Sequence, residues 1–172
     1  MSDAVQELID RQRIYECLLR YTRGMDRLDR ELVLSAYHPD AMEDHGPFMA
    51  PAAAFVEQVL GFHRDTETCT QHILHNHACE IEGDVAHCET YVSCYSVYPT
   101  GKASLSFGRF IDRFEKRNGD WRITDRASLN EGSNEFAGQV SPPHPSLPNS
   151  RVHPTRDKND PSYARPLRIH RG

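Results

Sequence analysis

The sequence predicts a single α+β domain in which three N-terminal helices precede an antiparallel sheet of long strands. Two observations indicate this class. Helical hydrophobic periodicity is confined to the chain before about residue 63, and strand-like stretches joined by short turns follow from Cys69. A length of 172 residues corresponds to one domain and is enough to enclose a core and a cleft. Because strands of this length usually curl, we expect the sheet to cup the helices.

Three segments have the pattern of helices. Residues 3–24 carry apolar side chains at the helical period, and Gly24 is expected to loosen the end of this helix. Asp29 is the expected N-cap of a short second helix, which His38-Pro39 ends because the residue before a proline avoids the α region. A proline suits the first turn of a helix, so the third helix is predicted over about 51–63.

Strand patterns account for the rest of the domain. A short strand is predicted first, and four long ones follow it: Ala41–His45, Cys69–Glu82, Val85–Tyr98, Lys102–Arg117 and Asp120–Asn130. The long strands are joined by three short connections: Gly83-Asp84, Pro99-Thr100-Gly101 and Asn118-Gly119. Each has the residues of a hairpin turn, and Asn-Gly is the strongest such signal. The sequence therefore predicts an antiparallel meander.

The C-terminal end differs in composition from the rest of the chain, since seven of the 11 prolines follow residue 140. The chain accordingly divides into a folded body, residues 1–135, and an extended Pro-rich tail, residues 136–172. The tail is hydrophilic and has the composition of a disordered segment, so a further contact is needed to order it. We predict that it packs on a neighbouring subunit.

Charge and hydropathy limit the classes of partner. The net charge is −5 and the isoelectric point about 6.0, which argues against a nucleic-acid partner because such proteins need a basic stripe. No uncharged apolar run approaches the roughly 18–20 residues of a membrane span, and the N-terminus lacks the apolar region of a signal peptide. We therefore expect a soluble, cytoplasmic protein that does not bind membranes. The five cysteines are expected to be reduced thiols, although Cys79 and Cys88 could face each other across a hairpin.

The hairpin turns assign side chains to the two faces of the sheet. A two-residue turn after Glu82 places His72 opposite Tyr95, and residues opposite each other share a face. Extending the pairing through the next two turns gives one face that mixes aromatic and polar groups: His72, Leu74, Asn76, Tyr91, Tyr95, Phe107, Arg109 and Arg126. Such a mixture is typical of a small-molecule pocket. A single β-bulge would move every later residue to the other face.

Asp26 and His72 are the residues most suited to chemistry. Asp26 lies at the end of the first predicted helix, where the helix dipole disfavours an anion, so local stability does not explain it. It is either a turn-forming residue or a carboxylate that holds the imidazole of His72 as a proton acceptor. In the second interpretation the pair is a general base that titrates near neutral pH.

Two further residues are candidates for the same pocket. Tyr21 precedes Asp26 by five residues, and it is either a core aromatic residue or a hydrogen-bond donor to a substrate oxygen. His45 follows the second helix, and we expect it at the pocket rim.

Metal and cofactor chemistry is not expected. The cluster of His72, His75, His77 and His87 lacks recognisable ligand spacing, because the register separates its members. The sequence contains no GxGxxG, Walker A, GxSxG or HExxH motif, which removes the usual nucleotide-binding, hydrolase and zinc-protease hypotheses.

Three segments and the tail carry a resemblance to a known family. They are YTRGMDRLDRELVLSAYHPDAMEDHG, QHILHNHACEIEGDVAHCETY, GRFIDRFEKRNGDWRITDR and, in the tail, RDKNDPSYARPL. They resemble the SnoaL-like branch of the nuclear transport factor 2 superfamily, over nearly the whole chain. The resemblance implies a cone-shaped α+β barrel with a deep pocket, and commonly a dimer or trimer.

Family members differ in activity. Several are cofactor-free lyases, namely scytalone dehydratase, bile-acid 7α-dehydratase and hexachlorocyclohexane dehydrochlorinase, and these share an Asp–His pair that the match places on Asp26 and His72. A tyrosine of the bile-acid enzyme falls on Tyr21, its second pocket tyrosine falls near His45, and a pocket arginine falls on Arg126. Others are non-catalytic β-subunits of ring-hydroxylating dioxygenases.

The resemblance therefore implies a cofactor-independent lyase or isomerase that acts on a hydrophobic ring compound. His72 would abstract a proton, Asp26 would stabilise the imidazolium, and Tyr21 and Arg126 would polarise an oxygen of the substrate. The alternative is a non-catalytic β-type oxygenase subunit or a small-molecule-binding module.

Overall fold

The computed structural model describes residues 3–137 and 154–167. The elements within them follow the order α1 (Asp3–Asp26), α2 (Arg30–Leu34), β1 (Tyr37–Asp44), β2 (Met49–Pro51), α3 (Ala52–Thr66), β3 (Cys69–Glu82), β4 (Val85–Val97), β5 (Lys102–Arg117), β6 (Asp120–Ala137) and a 3₁₀ turn (Pro161–Tyr163). The predicted α+β class, with three helices before a meander of long strands, is confirmed.

The strands form one curved, unclosed six-stranded sheet in the order β2-β1-β6-β5-β4-β3. The meander from β3 to β6 is antiparallel, as the turn sequences predict. The short strand β2 and the parallel pairing of β1 with β6 are additions that the sequence pattern does not reveal. They extend the sheet beyond β6 and bring β1 beside the last long strand.

The hairpin boundaries agree closely with their predictions. Two strands, β3 and β5, have the predicted limits, whereas β6 extends to Ala137, beyond the predicted Asn130. Asn118 and Gly119 form the last hairpin turn with positive φ angles of 55° and 81°. Asparagine and glycine tolerate this left-handed region, which explains why the Asn-Gly pair is a dependable signal.

Two helix ends differ from prediction. Helix α2 ends at Leu34, so His38 and Pro39 do not end it but lie in β1. Helix α1 continues through Gly24 to Asp26, and a Cβ atom at Gly24 would lie 2.6 Å from Cγ2 of Val33. The glycine therefore allows α2 to pack against α1 and does not loosen the helix. Asp29 is the N-cap of α2 as predicted, and its carboxylate accepts a hydrogen bond from the backbone N–H of Leu32 at 3.3 Å.

The hydrophobic core lies between the helices and the inner face of the sheet. Its largest fully buried apolar side chains come from α1, β5 and β6: Ile14, Leu18, Tyr21, Met25, Phe114, Trp121 and Ile123. Helix α3 contributes Phe55, Val56 and Leu60. None of the helices in the described residues combines the length and the apolar character that crossing a bilayer requires.

Part of the tail packs against the helices of its own chain. The hydroxyl of Tyr163 donates to Oδ2 of Asp29 at 2.8 Å, and the guanidinium of Arg23 lies over the Tyr163 ring at 4.6 Å. We call residues 154–167 the C-terminal clasp. The packing of the tail on a neighbouring subunit stays a prediction, and the prolines at positions 142, 143, 145 and 148 lie outside the described residues.

Candidate active site

Asp26 and His72 form a hydrogen-bonded pair between α1 and β3. The Nδ1 atom of His72 lies 2.7 Å from Oδ1 of Asp26. The backbone N–H of His72 also donates to both carboxylate oxygens, at 3.1 and 3.0 Å. Because the carboxylate is fixed to both the main chain and the ring of the same residue, the imidazole has a defined orientation. The structure therefore supports the second interpretation of Asp26, in which its carboxylate holds the imidazole of His72.

The environment of His72 favours its protonated form, so the prediction that the pair titrates near neutral pH is wrong. Burial by itself lowers the pKa of His72, but hydrogen bonding to Asp26 and interaction with Cys94 outweigh it and raise the pKa to about 10. Since Nδ1 is engaged by Asp26, the other ring nitrogen, Nε2, is the one available for exchange of a proton with a ligand.

His72 borders a cavity of about 460 Å³ between the helices and the sheet. Many of the residues around it are apolar, including Met25, Val59, Phe62, Val92, Phe110 and Leu129. Polar groups also line it: His45, His63, Ser106, Ser128 and Asn130. A mainly apolar cavity of this size with a few polar groups is typical of a site for a small organic ligand.

Tyr21 lies on the cavity wall within an aromatic cluster. Its ring makes edge contacts with the rings of Tyr37 and Phe110, at centroid distances of 5.9 and 5.6 Å. Burial raises the pKa of Tyr21, and the nearby carboxylate of Glu43 raises it further, so the phenol keeps its proton. Tyr21 is thus both a core aromatic residue and a hydroxyl donor beside the cavity.

His45 also borders the cavity, close to a second carboxylate. Its Nδ1 atom lies 2.9 Å from Oε1 of Glu43, at ion-pair distance but without hydrogen-bond alignment. Glu43 is fully buried, and it accepts hydrogen bonds from the hydroxyls of Tyr37 at 2.6 Å and Ser128 at 3.4 Å. The His45 ring stacks on Phe55. Sequence reasoning expected His45 at the rim but missed Glu43 as its partner.

His63 is a third cavity histidine, and the sequence analysis did not single it out. Its Nδ1 atom lies 2.5 Å from Oε2 of Glu67, which follows it by four residues. Residues four apart on a helix are neighbours, so the spacing of His63 and Glu67 is a sequence signal for this pair, whereas the apolar residues of the helix give no indication of it.

Four residues predicted for the pocket face are elsewhere, because β3 contains a bulge. The pairing of β3 with β4 shifts by one residue between Leu74 and His77, so His72 faces Cys94 and not Tyr95. Tyr91, Tyr95 and Arg109 therefore lie on the outer face of the sheet.

Their contacts agree with this correction. The guanidinium of Arg109 lies 5.9 Å from the centroid of the exposed Tyr91 ring, and Tyr95 stacks on Phe136. The fourth residue, Asn76, lies in the bulge and is exposed. Phe107 does border the cavity, although 46% of its surface is exposed.

Arg126 is beneath the cavity wall, not in the cavity as predicted. Its guanidinium donates to both carboxylate oxygens of Asp112, from Nε at 2.6 Å and from Nη2 at 2.9 Å. The rings of Tyr21 and Phe110 pack against it at 4.2 and 4.1 Å. The sequence predicts Ile111 as the neighbour of Arg126 on β5, which is one residue from the observed partner, Asp112. Arg126 supports Tyr21 from below and is enclosed by these groups.

The histidines considered for a metal site do not come together. His75 forms a hydrogen bond with the hydroxyl of Ser93. His87 lies in a groove on the outer face of the sheet, which Arg109 and Arg113 also line and which we call the outer groove. Within the described residues, one group has possible ligand atoms within 4.8 Å of one another: His77, Cys79 and Cys88. Cys79 and Cys88 are free thiols that face each other across β3 and β4, as the hairpin predicts.

Comparison with known proteins identifies a related domain. The SnoaL-like domain family matches residues 6–127. No curated protein sequence matches the chain significantly.

Solved structures share the fold over most of their length. One is a candidate scytalone dehydratase from Novosphingobium aromaticivorans DSM 12444, with 16% identity, a TM-score of 0.71, and coverage of 81% of this chain and 98% of that chain. A type 2 hexachlorocyclohexane dehydrochlorinase has 18% identity, a TM-score of 0.74, and coverage of 83% and 99%. A candidate aromatic ring hydroxylase, also from N. aromaticivorans, has 22% identity, a TM-score of 0.68, and coverage of 75% and 94%. At these identities the likeness concerns the fold.

Proposed function

Because this chain belongs to the SnoaL-like domain family, we propose that it is a cofactor-independent lyase or isomerase that acts on a hydrophobic ring compound. The observation that carries the proposal is the Asp26–His72 pair, with 2.7 Å between Oδ1 and Nδ1, on the wall of an apolar cavity. The fold shared with a candidate dehydratase and a dehydrochlorinase supports an elimination reaction.

In the proposed reaction, the neutral form of His72 accepts a proton from a substrate carbon through Nε2. Because the pKa of His72 is raised to about 10, this form, and with it the rate, should increase as the pH rises towards 10. Asp26 then stabilises the imidazolium that forms, because its carboxylate already accepts hydrogen bonds from the ring and the backbone of His72. Tyr21 donates a hydrogen bond to the leaving oxygen or to a carbonyl of the substrate. General acid–base catalysis of this kind contributes about 10²–10⁴-fold in rate.

The cavity supports a ring compound as the substrate class. Its apolar wall includes Met25, Val59 and Phe110, and its volume of about 460 Å³ lies within the usual range for small organic ligands. Ser128 and Asn130 on β6 can orient a substrate oxygen. We therefore expect substrates with one polar edge, which carries an acidic C–H bond and a leaving group on the next carbon.

The proposal is tested with a panel of cyclic β-hydroxy and β-chloro ketones. Ligands are first found by their effect on the thermal unfolding midpoint, since a bound ligand stabilises the folded state. Turnover is then followed by the ultraviolet absorbance of the enone product. His72→Gln should lower kcat by about 10²–10⁴-fold. The matched control is His87→Gln, which removes a histidine from the outer groove and should leave kcat unchanged.

Equal rates for His72→Gln and the wild-type protein would contradict the mechanism. Binding of panel compounds without conversion would favour the alternative role, a small-molecule-binding module or a non-catalytic β-type subunit of a ring-hydroxylating dioxygenase. In that case co-purification with a larger iron-containing chain would separate the subunit role from the binding role.

A further inference from the structure

A second imidazole–carboxylate pair lies next to His72 at the cavity. His63 and Glu67 lie at the end of α3, and 2.5 Å separates Nδ1 of His63 from Oε2 of Glu67. The side chains of His63 and Glu67 are 10% and 3% exposed. His63 borders the same cavity as His72, with 5.8 Å between the ring centroids and an interplanar angle of 88°.

The C-terminal clasp fixes the chain around this pair. Nη1 of Arg156 donates to the backbone carbonyls of His63, at 2.9 Å, and Glu67, at 2.7 Å. Its Nη2 atom donates to Oγ1 of Thr70 at 3.1 Å. The carbonyl of His63 also accepts the backbone N–H of Glu67 at 3.3 Å, so Arg156 reinforces the last turn of α3. The clasp thus holds the end of α3 where His63 meets the cavity.

Packing alone gives no reason for this pair. Burial of an imidazole and a carboxylate costs free energy, which apolar side chains of similar volume would avoid. The helix dipole also disfavours a carboxylate at the C-terminal end of α3, and the nearby guanidinium of Arg156 offsets this cost. The arrangement matches that of His72 and Asp26, in which a carboxylate holds Nδ1 and leaves Nε2 for a ligand.

We propose that His63 is a second catalytic residue, which donates a proton to an oxygen leaving group while His72 removes a proton from carbon. The inference rests on the proposed lyase function. In this step the C–H bond breaks and its electron pair forms the C=C bond. The C–O bond breaks, and the leaving oxygen takes the Nε2 proton of the His63 imidazolium and departs as water. Exchange with solvent returns a proton to His63 and removes one from His72.

The groups around His63 resemble those around His72. The carboxylate of Glu67 holds Nδ1 of His63, as the carboxylate of Asp26 holds Nδ1 of His72. The reaction needs one charged imidazole as the acid and one neutral imidazole as the base, and 5.8 Å between the ring centroids keeps both close to one substrate. Glu67 is then a positioning residue that fixes the ring of His63.

The test uses two probes with one ring skeleton, the β-hydroxy and the β-chloro derivatives of cyclohexanone. Hydroxide needs a proton to leave, whereas chloride leaves without one. His63→Gln should therefore lower kcat for the hydroxy ketone by about 10²-fold or more and leave the chloro ketone within a few-fold. His72→Gln should lower kcat for both. The pH–rate profile of the wild type with the hydroxy ketone should have two limbs, and His63→Gln should remove one.

Glu67→Gln retains the imidazole and provides the second variant. It should reproduce the selective loss with the hydroxy ketone in kcat, with little change in KM, and it keeps the test decisive where His63→Gln does not fold. Equal losses for both ketones, or no loss for either, in the folded His63 variant would overturn the inference. A His72→Gln variant with full activity towards both, or a wild-type protein that converts neither, would overturn the proposed function and the inference with it.

Discussion

Two of the pairs of a carboxylate and a basic side chain on the inner side of the sheet differ in what surrounds them. Asp26 and His72 join α1 to β3, with side-chain exposures of 15% and 10%, and His72 borders the cavity. Asp112 and Arg126 join β5 to β6, and neither side chain is exposed at all. Aromatic rings cover the second pair, whereas the first has a ring nitrogen that a ligand can reach.

The comparison indicates that access to the cavity distinguishes a pair suited to catalysis from a pair that only stabilises the fold. In the Asp112–Arg126 pair, burial raises the pKa of Asp112 and Arg126 opposes that rise, while the pKa of Arg126 stays well above its usual value. Arginine remains charged at all accessible pH values, so Arg126 cannot act as a base. Histidine can lose its proton, and the cavity supplies a place for an acceptor or a donor. Arg126 therefore supports Tyr21, and His72 is suited to catalysis.

The largest expected effect follows from breaking the enclosed pair. Asp112→Ala leaves the guanidinium of Arg126 buried without its partner, and such a change typically costs about 3–5 kcal/mol of unfolding free energy. Urea unfolding followed by circular dichroism measures the loss.

The control for this prediction is the double variant Asp112→Ala with Arg126→Met. It removes both charges and should recover much of the lost stability, because no uncompensated ion remains. A loss below about 1 kcal/mol in the single variant would contradict the enclosure argument, since a buried, unpaired charge would then cost no more than an exposed one.

A smaller effect, and one that depends on pH, is expected at the cavity pair. The folded-state pKa of His72 is raised to about 10, above the ordinary value of 6.5. Its stabilising contribution is therefore fully present below pH 6.5 and is lost as the pH rises through about 10. Asp26→Asn removes the carboxylate that raises the pKa. A nearby opposite charge typically shifts a pKa by 1–3 units, so the pH-dependent part should shrink by about 1.4–4 kcal/mol.

The measurement is the difference in urea-unfolding free energy between wild type and Asp26→Asn across this pH range. Titrating groups other than Asp26 and His72 are common to both proteins and cancel in the difference. The kcat–pH profile gives a second check, because a neutral base is needed: the variant should reach its lower maximal rate at lower pH than the wild type. A difference in stability that does not change with pH would show that Asp26 does not raise the pKa of His72.

The sequence was sufficient for those features that depend on local signals. Turn residues such as Asn118-Gly119 determine hairpin positions, so the limits of β3 and β5 were predicted correctly. The N-cap at Asp29 was predicted for the same reason. The Asp26–His72 contact came from the dipole argument together with the family resemblance, and the structure places the two side chains in contact.

What the sequence could not supply depends on non-local geometry. The bulge after Leu74 has no residue signature, yet it moves Tyr91 and Tyr95 to the outer face. The enclosure of Arg126 depends on Asp112 from a different strand. The position of His63 at the cavity depends on where α3 packs against the sheet. Hydrophobic periodicity within one helix does not predict this placement.

The smallest effect is expected for an exposed ion pair on the outer face. Arg109 contacts Glu89 and Glu131, each at 2.6 Å, beside the outer groove. Water screens these charges, so Arg109→Ala leaves no buried ion, and the urea midpoint should stay within experimental error of the wild type. Binding of a ring compound in the cavity and the pH profile of His72 should also be unchanged, since Arg109 lies on the other side of the sheet. A loss of stability as large as that of Asp112→Ala would mean that the charges themselves, and not their enclosure, determine the cost, and the distinction between the two inner pairs would then fail.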